Sequence, residues 1–161
     1  MKPYLLTAAV LYALDQASKA LVLAEFRLGD IRPVVGGFFD LVYVANTGAA
    51  FGMFQGIPWF FTALKVVALG VIIALFWSGR LRSRMARTIG ALLLAGVAGN
   101  LTDRMLHGHV VDFLSFNLGI PFADPWPAFN VADACITVAA CLLFIHSFTA
   151  GGERAGDAVE P

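Results

Sequence analysis

Charge is the scarcest property of this 161-residue chain. Only 14% of its residues are charged, Lys+Arg and Asp+Glu number 11 each, and the formal net charge is zero. A soluble domain carries about 25% charged residues, and an even balance offers no basic face to a nucleic acid. Cysteine is scarce too. Cys135 and Cys141 lie six apart in one apolar run, a spacing that turns them away from each other on a helix. Neither a disulfide framework nor a CxxC metal site follows, and both read as small apolar helix residues. The HExxH signature of a zinc protease is missing. His107 and His109 stand near Asp103 and Asp112, a conceivable metal set, but read more simply as interfacial histidines. No internal repeat or low-complexity tract appears.

What is present is apolar surface. Hydrophobic residues make up 59% of the chain, and the mean hydropathy is +0.78. This composition predicts a membrane protein. A span needs about 20 residues, so the chain can form one compact bundle and little else. The apolar runs predict helices over about 4–23, 58–77, 88–106 and 129–148, with 1–150 as a single domain. The fold class expected is an all-α membrane protein with four transmembrane helices and a small extracytoplasmic β-rich segment between the first two. The polar tail, 151–161, is expected to be disordered and cytoplasmic.

The first run carries Lys2 at its start, as a signal peptide would. Asp15, Gln16, Ser18 and Lys19 interrupt it, however, where a cleaved segment should stay apolar. Asp15 and Lys19 stand at i, i+4 and can pair on one face. From 25 to 55 the pattern changes: Gly29, Pro33, Gly36 and Gly37 punctuate it, and FFDLVYVAN favours strands. Phe38, Phe39, Tyr43 and Phe51 suit headgroup depth. Asn46 to Gly52 reads NTGAAFG, a turn in which backbone can approach a ligand closely. In the second span Pro58 suits a first helical turn, and Lys65 is expected to snorkel to the nearer surface.

Arg80, Arg82, Arg84 and Arg87 crowd one short connection, which the excess of basic residues in cytoplasmic loops places inside the cell. Both termini are then cytoplasmic. Asp15 to Lys19, the strand-rich segment, Gly99 to Asp112 and Asn130 to Asp133 all fall toward the outer face. Unrelated snorkelling ends would not gather carboxylates and amides on one side.

On the third helix Asn100, Asp103 and Arg104 share a face, and on the fourth Asn130 and Asp133 do the same. Arg104 is expected to hold Asp103 in its charged form. Gly108 lets the chain bend back, bringing Asp112 toward the fourth helix. Two carboxylates held close cannot both ionise easily. The charged member can activate water while the protonated one hydrogen-bonds a scissile carbonyl, as in aspartic proteases. A serine–lysine dyad is poorly supplied, since Ser18 and Lys19 project from different sides of the helix. Two other classes stay open at this point: a small transporter or assembly factor relaying a cation through Asp15, Asp103, Asp112 and Asp133, and a lipid transferase with aspartates on a divalent metal. Transport would distribute carboxylates through the bundle's depth, and a metal enzyme would be chelator-sensitive.

Five blocks carry a family resemblance: DQASK (Asp15 to Lys19), NTGAAFG, GNLTDR (Gly99 to Arg104), GHVVDF (Gly108 to Phe113) and FNVAD (Phe129 to Asp133). In this order and spacing the chain resembles the bacterial lipoprotein signal peptidases (signal peptidase II), membrane aspartic endopeptidases. The resemblance runs from about residue 4 to 148. It implies four transmembrane helices with a β-cradle, in the bacterial inner membrane, and a site toward the periplasmic face. It also implies removal of the signal peptide from diacylglyceryl-modified prolipoproteins, on the amino side of the lipidated cysteine. It assigns catalysis to Asp112 and Asp133, and substrate binding or support to Asp15, Lys19, Asn46, Gly48, Asn100, Asp103, Arg104 and Asn130. The partners implied are the prolipoprotein, membrane lipid and globomycin-type cyclic peptide inhibitors, with no metal, cofactor, nucleic acid or defined oligomer. Residues 46–54 are expected to act as a lid or cradle over the site.

Overall fold

The computed structural model describes residues 1–48, 58–121 and 124–156, the side chains of 58–62 and 148–156 excepted. The expected lid therefore falls largely outside the described residues, as does Phe51. Among the described residues four helices and four strands follow one another: α1 (Lys2–Glu25), β1 (Ile31–Val35), β2 (Phe39–Asn46), α2 (Pro58–Trp77), α3 (Arg84–His107), β3 (Val110–Phe116), β4 (Trp126–Phe129) and α4 (Val131–Gly156).

Helix α3 is the hub, packing against α1, α2 and α4. Ser83 caps it by accepting from the Ala86 N–H at 3.0 Å, which satisfies a donor that the first turn leaves over. This cap starts the helix at Arg84, so Arg84 and Arg87 belong to α3 and not, as expected, to the preceding loop. Gly108 ends α3 in the left-handed region, at φ 76°, where a residue without Cβ sits at no steric cost. Close approach to α4 depends on Gly96: a Cβ there would lie 2.5 Å from the Ala132 carbonyl oxygen and 2.7 Å from Ile136 Cγ1. Ala8, Ile72, Phe76, Ala91, Ala95 and Val97 form the buried core between α1, α2 and α3. Among the described residues, α1 and α3 are each long and apolar enough to cross a membrane.

The sheet is antiparallel, in the order β1-β2-β3-β4. The expectation placed all strand structure between the first two helices; half of the sheet instead comes from the α3–α4 connection. Val110–Phe116 supplies a third strand and Trp126–Phe129 a fourth. The latter includes Phe129, expected to open the last helix. The reason is local. Asn130 stops the strand and caps the helix, its Oδ1 accepting from the Asp133 N–H at 2.9 Å. At its other end α4 continues through Gly156 into the segment read as tail.

In β3 the pleat sorts side chains by period two. Val111 and Phe113 join Val22 of α1 in a second buried cluster, so Asp112 points to the opposite face. Register with β2 then sets its neighbours: Val44 lies opposite Asp112 and Asn46 opposite Val110.

Candidate functional site

A buried ion cluster between α1 and α3 forms the base. Lys19 Nζ lies 2.9 Å from Asp15 Oδ2 and 2.9 Å from Asp103 Oδ2, and the three side chains are only 1–2% exposed. Isolated, each charge would be very costly at this burial; one ammonium answers both carboxylates. Neutral donors complete the shell. Asp15 Oδ1 accepts from the Ala132 N–H at 2.8 Å, and Asp103 Oδ2 from the Val111 N–H at 3.0 Å. Gln16 Nε2 reaches Asp15, Asp103 and the Gly99 carbonyl at 3.1, 3.2 and 3.3 Å. The cluster thus ties α1 to the start of α4 and to β3. The expected Asp15–Lys19 pair is present.

Asn100 and Asn130 connect this base to Asp112 and Asp133, and Asn46 holds Asp112 from β2. Lys19 Nζ also donates to Asn100 Oδ1 at 3.1 Å. Asn100 Nδ2 in turn donates to Asp133 Oδ1 at 2.6 Å. Asn130 Nδ2 donates to Asp112 Oδ1 at 2.7 Å and to Asn100 Oδ1 at 3.2 Å, while Asn46 Nδ2 donates to Asp112 Oδ2 at 2.8 Å. Both oxygens of Asp112 are therefore held by amide donors. Asp133 sits in the first turn of α4, where the helix dipole favours a negative charge.

Asp112 and Asp133 line one cavity of about 1030 Å³, together with Val44 to Gly48 of β2 and its following turn, Lys65, Asn100, Arg104 and the β4 strand. Burial, and then the neighbouring Asp133 carboxylate, push the Asp112 carboxyl up from 3.8 to about 7, against the hydrogen bonds from Asn46 and Asn130. A group in this state keeps a proton near neutral pH. Beside a second carboxylate, the arrangement can both donate and accept protons at one point.

The structure brings together all ten residues singled out in the sequence, in two layers: Asp15, Lys19 and Asp103 below, and Asn46, Gly48, Asn100, Arg104, Asp112, Asn130 and Asp133 around the cavity. One expectation about an individual residue is corrected. Arg104 does not hold Asp103: its guanidinium donates to the Gly48 carbonyl at 2.6 Å and the Thr47 carbonyl at 3.3 Å, and Lys19 serves Asp103 instead. Lys65 lines the cavity. A lysine well inside an apolar run was the available signal. Gln16 was noted only as a polar interruption. Its bridging role depends on α1 meeting α3, which spacing alone does not reveal. His109 meets a neutral partner, with Nε2 and Tyr43 Oη 3.1 Å apart.

Comparison with known proteins adds an independent finding. A family model described as Signal peptidase (SPase) II matches residues 7–149. The lipoprotein signal peptidase of Azoarcus sp. (strain BH72) is 44% identical over 158 residues, covering 96% of this chain and 87% of the relative. That of Syntrophus aciditrophicus (strain SB) is 39% identical over 147 residues, covering 88% of this chain and 89% of the relative. A bacterial membrane enzyme solved by the in meso method at 2.3 Å resolution superposes with a TM-score of 0.83 at 28% identity, covering 92% of this chain and 89% of that one.

Proposed function

This chain belongs to the signal peptidase II family, and on that premise we propose that it removes signal peptides from prolipoproteins as an aspartic endopeptidase, with Asp112 and Asp133 as the catalytic pair. The observation that carries the reading is that Asp112 and Asp133 line one cavity, with the Asp112 carboxyl pushed up to about 7 by burial and by the neighbouring Asp133.

In the proposed reaction the ionised carboxylate takes a proton from water, and the resulting hydroxide attacks the scissile carbonyl carbon. The protonated carboxyl gives its proton to the carbonyl oxygen. The tetrahedral gem-diol then collapses: one hydroxyl returns its proton to the pair as the C=O re-forms, the C–N bond breaks, and the leaving nitrogen takes a proton from the pair. The products are the free carboxyl end of the signal peptide and the free amine of the diacylglyceryl cysteine. Asn46, Asn100 and Asn130 hold the pair in register, and Asp15, Lys19 and Asp103 brace the helices below it. Arg104 fixes the backbone at Thr47 and Gly48, a turn placed to meet an extended substrate.

A lipid-modified substrate stays in the bilayer, since each buried CH₂ contributes about 0.8 kcal/mol. The site must therefore meet it at the interface. We place all four helices across the bacterial inner membrane, both termini in the cytoplasm, the sheet and site at the outer face, and residues 46–54 as a lid. Globomycin-type cyclic peptides would compete for the cavity.

The test is a gel-shift cleavage assay on a diacylglyceryl-modified prolipoprotein, with wild type, Asp112→Asn and Asp133→Asn, each with and without chelator. Chelator-resistant cleavage lost in both variants is the expected result. Near wild-type cleavage by either variant would sink the aspartyl pair, and chelator sensitivity would favour a metal enzyme.

A further inference from the structure

Lysine stands only at positions 2, 19 and 65. Lys19 is fully engaged with Asp15, Asp103 and Asn100, whereas Lys65 has no place in the machinery described so far. It lies seven residues into α2 from Pro58, or about 10 Å along the helix axis. A cation at that depth in an apolar helix is costly unless it faces a partner or water. Among the described residues, Lys65 is the only member of α2 that lines the cavity, and it shares that cavity with Asn100, Arg104, Asp112 and Asp133. The charged groups facing it come from every surrounding element: Arg104 from α3, Asp133 from α4, Asp112 from β3 and Lys19 from α1. The two ion pairs found among the described residues both belong to Lys19, so Lys65 acts on the carboxylates across the cavity and not by direct contact.

We propose that Lys65 is a positioning residue for the reaction: from the α2 wall of the cavity its ammonium stabilises the singly ionised state of the Asp112–Asp133 pair, in which one carboxylate activates water and the other keeps its proton. The inference rests on the aspartyl reading above. A positive charge close to two competing carboxylates lowers the cost of the first ionisation. With it in place the pair reaches its working state at a lower pH. Arg104 also acts on both carboxylates through its charge, while its guanidinium is held on the Thr47 and Gly48 carbonyls.

The experiment is the pH profile of kcat/KM for cleavage of a diacylglyceryl-modified prolipoprotein by wild type, Lys65→Met, Lys65→Gln and Lys65→Arg in detergent micelles. Asp112→Asn and Asp133→Asn run alongside. Loss of the charge in Met or Gln moves the acid limb up by roughly one pH unit, and Arg restores it. The Gln variant keeps length and polarity, so it carries the test if Met does not fold. A profile in Met or Gln that superimposes on wild type overturns the proposal, as does a raised KM with the acid limb unmoved. The aspartate variants separate the two ideas: inactive aspartate variants with unshifted Lys65 profiles refute Lys65 alone, and active aspartate variants refute the pair itself.

Discussion

Asn130 Nδ2 donates to Asp112 Oδ1 at 2.7 Å. Through this bond a residue that caps a helix also orients a carboxyl on a strand. The Oδ1 of the same Asn130 amide accepts from the Asp133 N–H, so one side chain sets the geometry of both aspartates. Asn130→Ala is therefore expected to lose both functions. Losing a hydrogen bond to a carboxylate corresponds to about 10–100-fold in kcat, and losing the cap lowers stability by about 1 kcal/mol. Steady-state cleavage rates and thermal unfolding in micelles measure the two effects separately.

The pH dependence of stability carries a defined sign. The Asp112 carboxyl is pushed up from 3.8 to about 7 in the folded protein, so between those values the native state holds a proton that the unfolded chain has released. The contribution of this group to stability is full below about pH 4 and is lost as pH rises through about 7. Asp112→Asn, neutral throughout, lacks this slope. Its thermal stability relative to wild type should grow from pH 4 to pH 7, by an amount on the order of a few kcal/mol. A constant difference would contradict the assignment. Activity should likewise decline above about pH 7, as the proton needed by the carbonyl oxygen is lost.

Removing Lys19 should cost more than removing any surface charge. Lys19→Met leaves Asp15 and Asp103 buried at 1–2% exposure without their ammonium, a change that typically destabilises by about 3–5 kcal/mol. Unfolding by heat or denaturant in micelles reads this directly. A variant within about 1 kcal/mol of wild type would show that the cluster does not brace α1 against α3.

The α3–α4 contact tolerates no extra methyl at Gly96. A Cβ would meet the Ala132 carbonyl oxygen and Ile136, so Gly96→Ala must push the helices apart, at about 1–3 kcal/mol. Because Asp133 is next to Ala132, the displacement also reaches the site. Reduced thermal stability and reduced turnover are expected together.

The elements that were legible in the sequence share a physical basis. Long apolar runs gave α2 its limits at Pro58 and Trp77, and residues three or four apart on a helix gave the shared faces of Asn100 with Asp103 and of Asn130 with Asp133. Strand β3 was harder to see. Val110–Phe116 is buried at five of seven positions, so the polar-out alternation that marks a surface strand is absent. The assignment of Arg104 to Asp103 failed for a related reason. Adjacent residues on a helix point in different directions, and only the packing of α1 against α3 reveals Lys19 as the partner. Lys65 was legible as an anomaly and not as a participant, since its direction depends on how α2 turns against the bundle.

The order of the elements along the chain also determines when the site comes into being. Strand β4, Asn130 and Asp133 are made after the rest of the site, and the Ala132 N–H that Asp15 accepts from arrives with them. A nascent chain that ends before Asn130 already holds Lys19, Asp15, Asp103 and Asp112, yet Asp112 has neither its Asn130 donor nor its facing carboxylate. On the aspartyl reading the site cannot cut until α4 has been made and has docked.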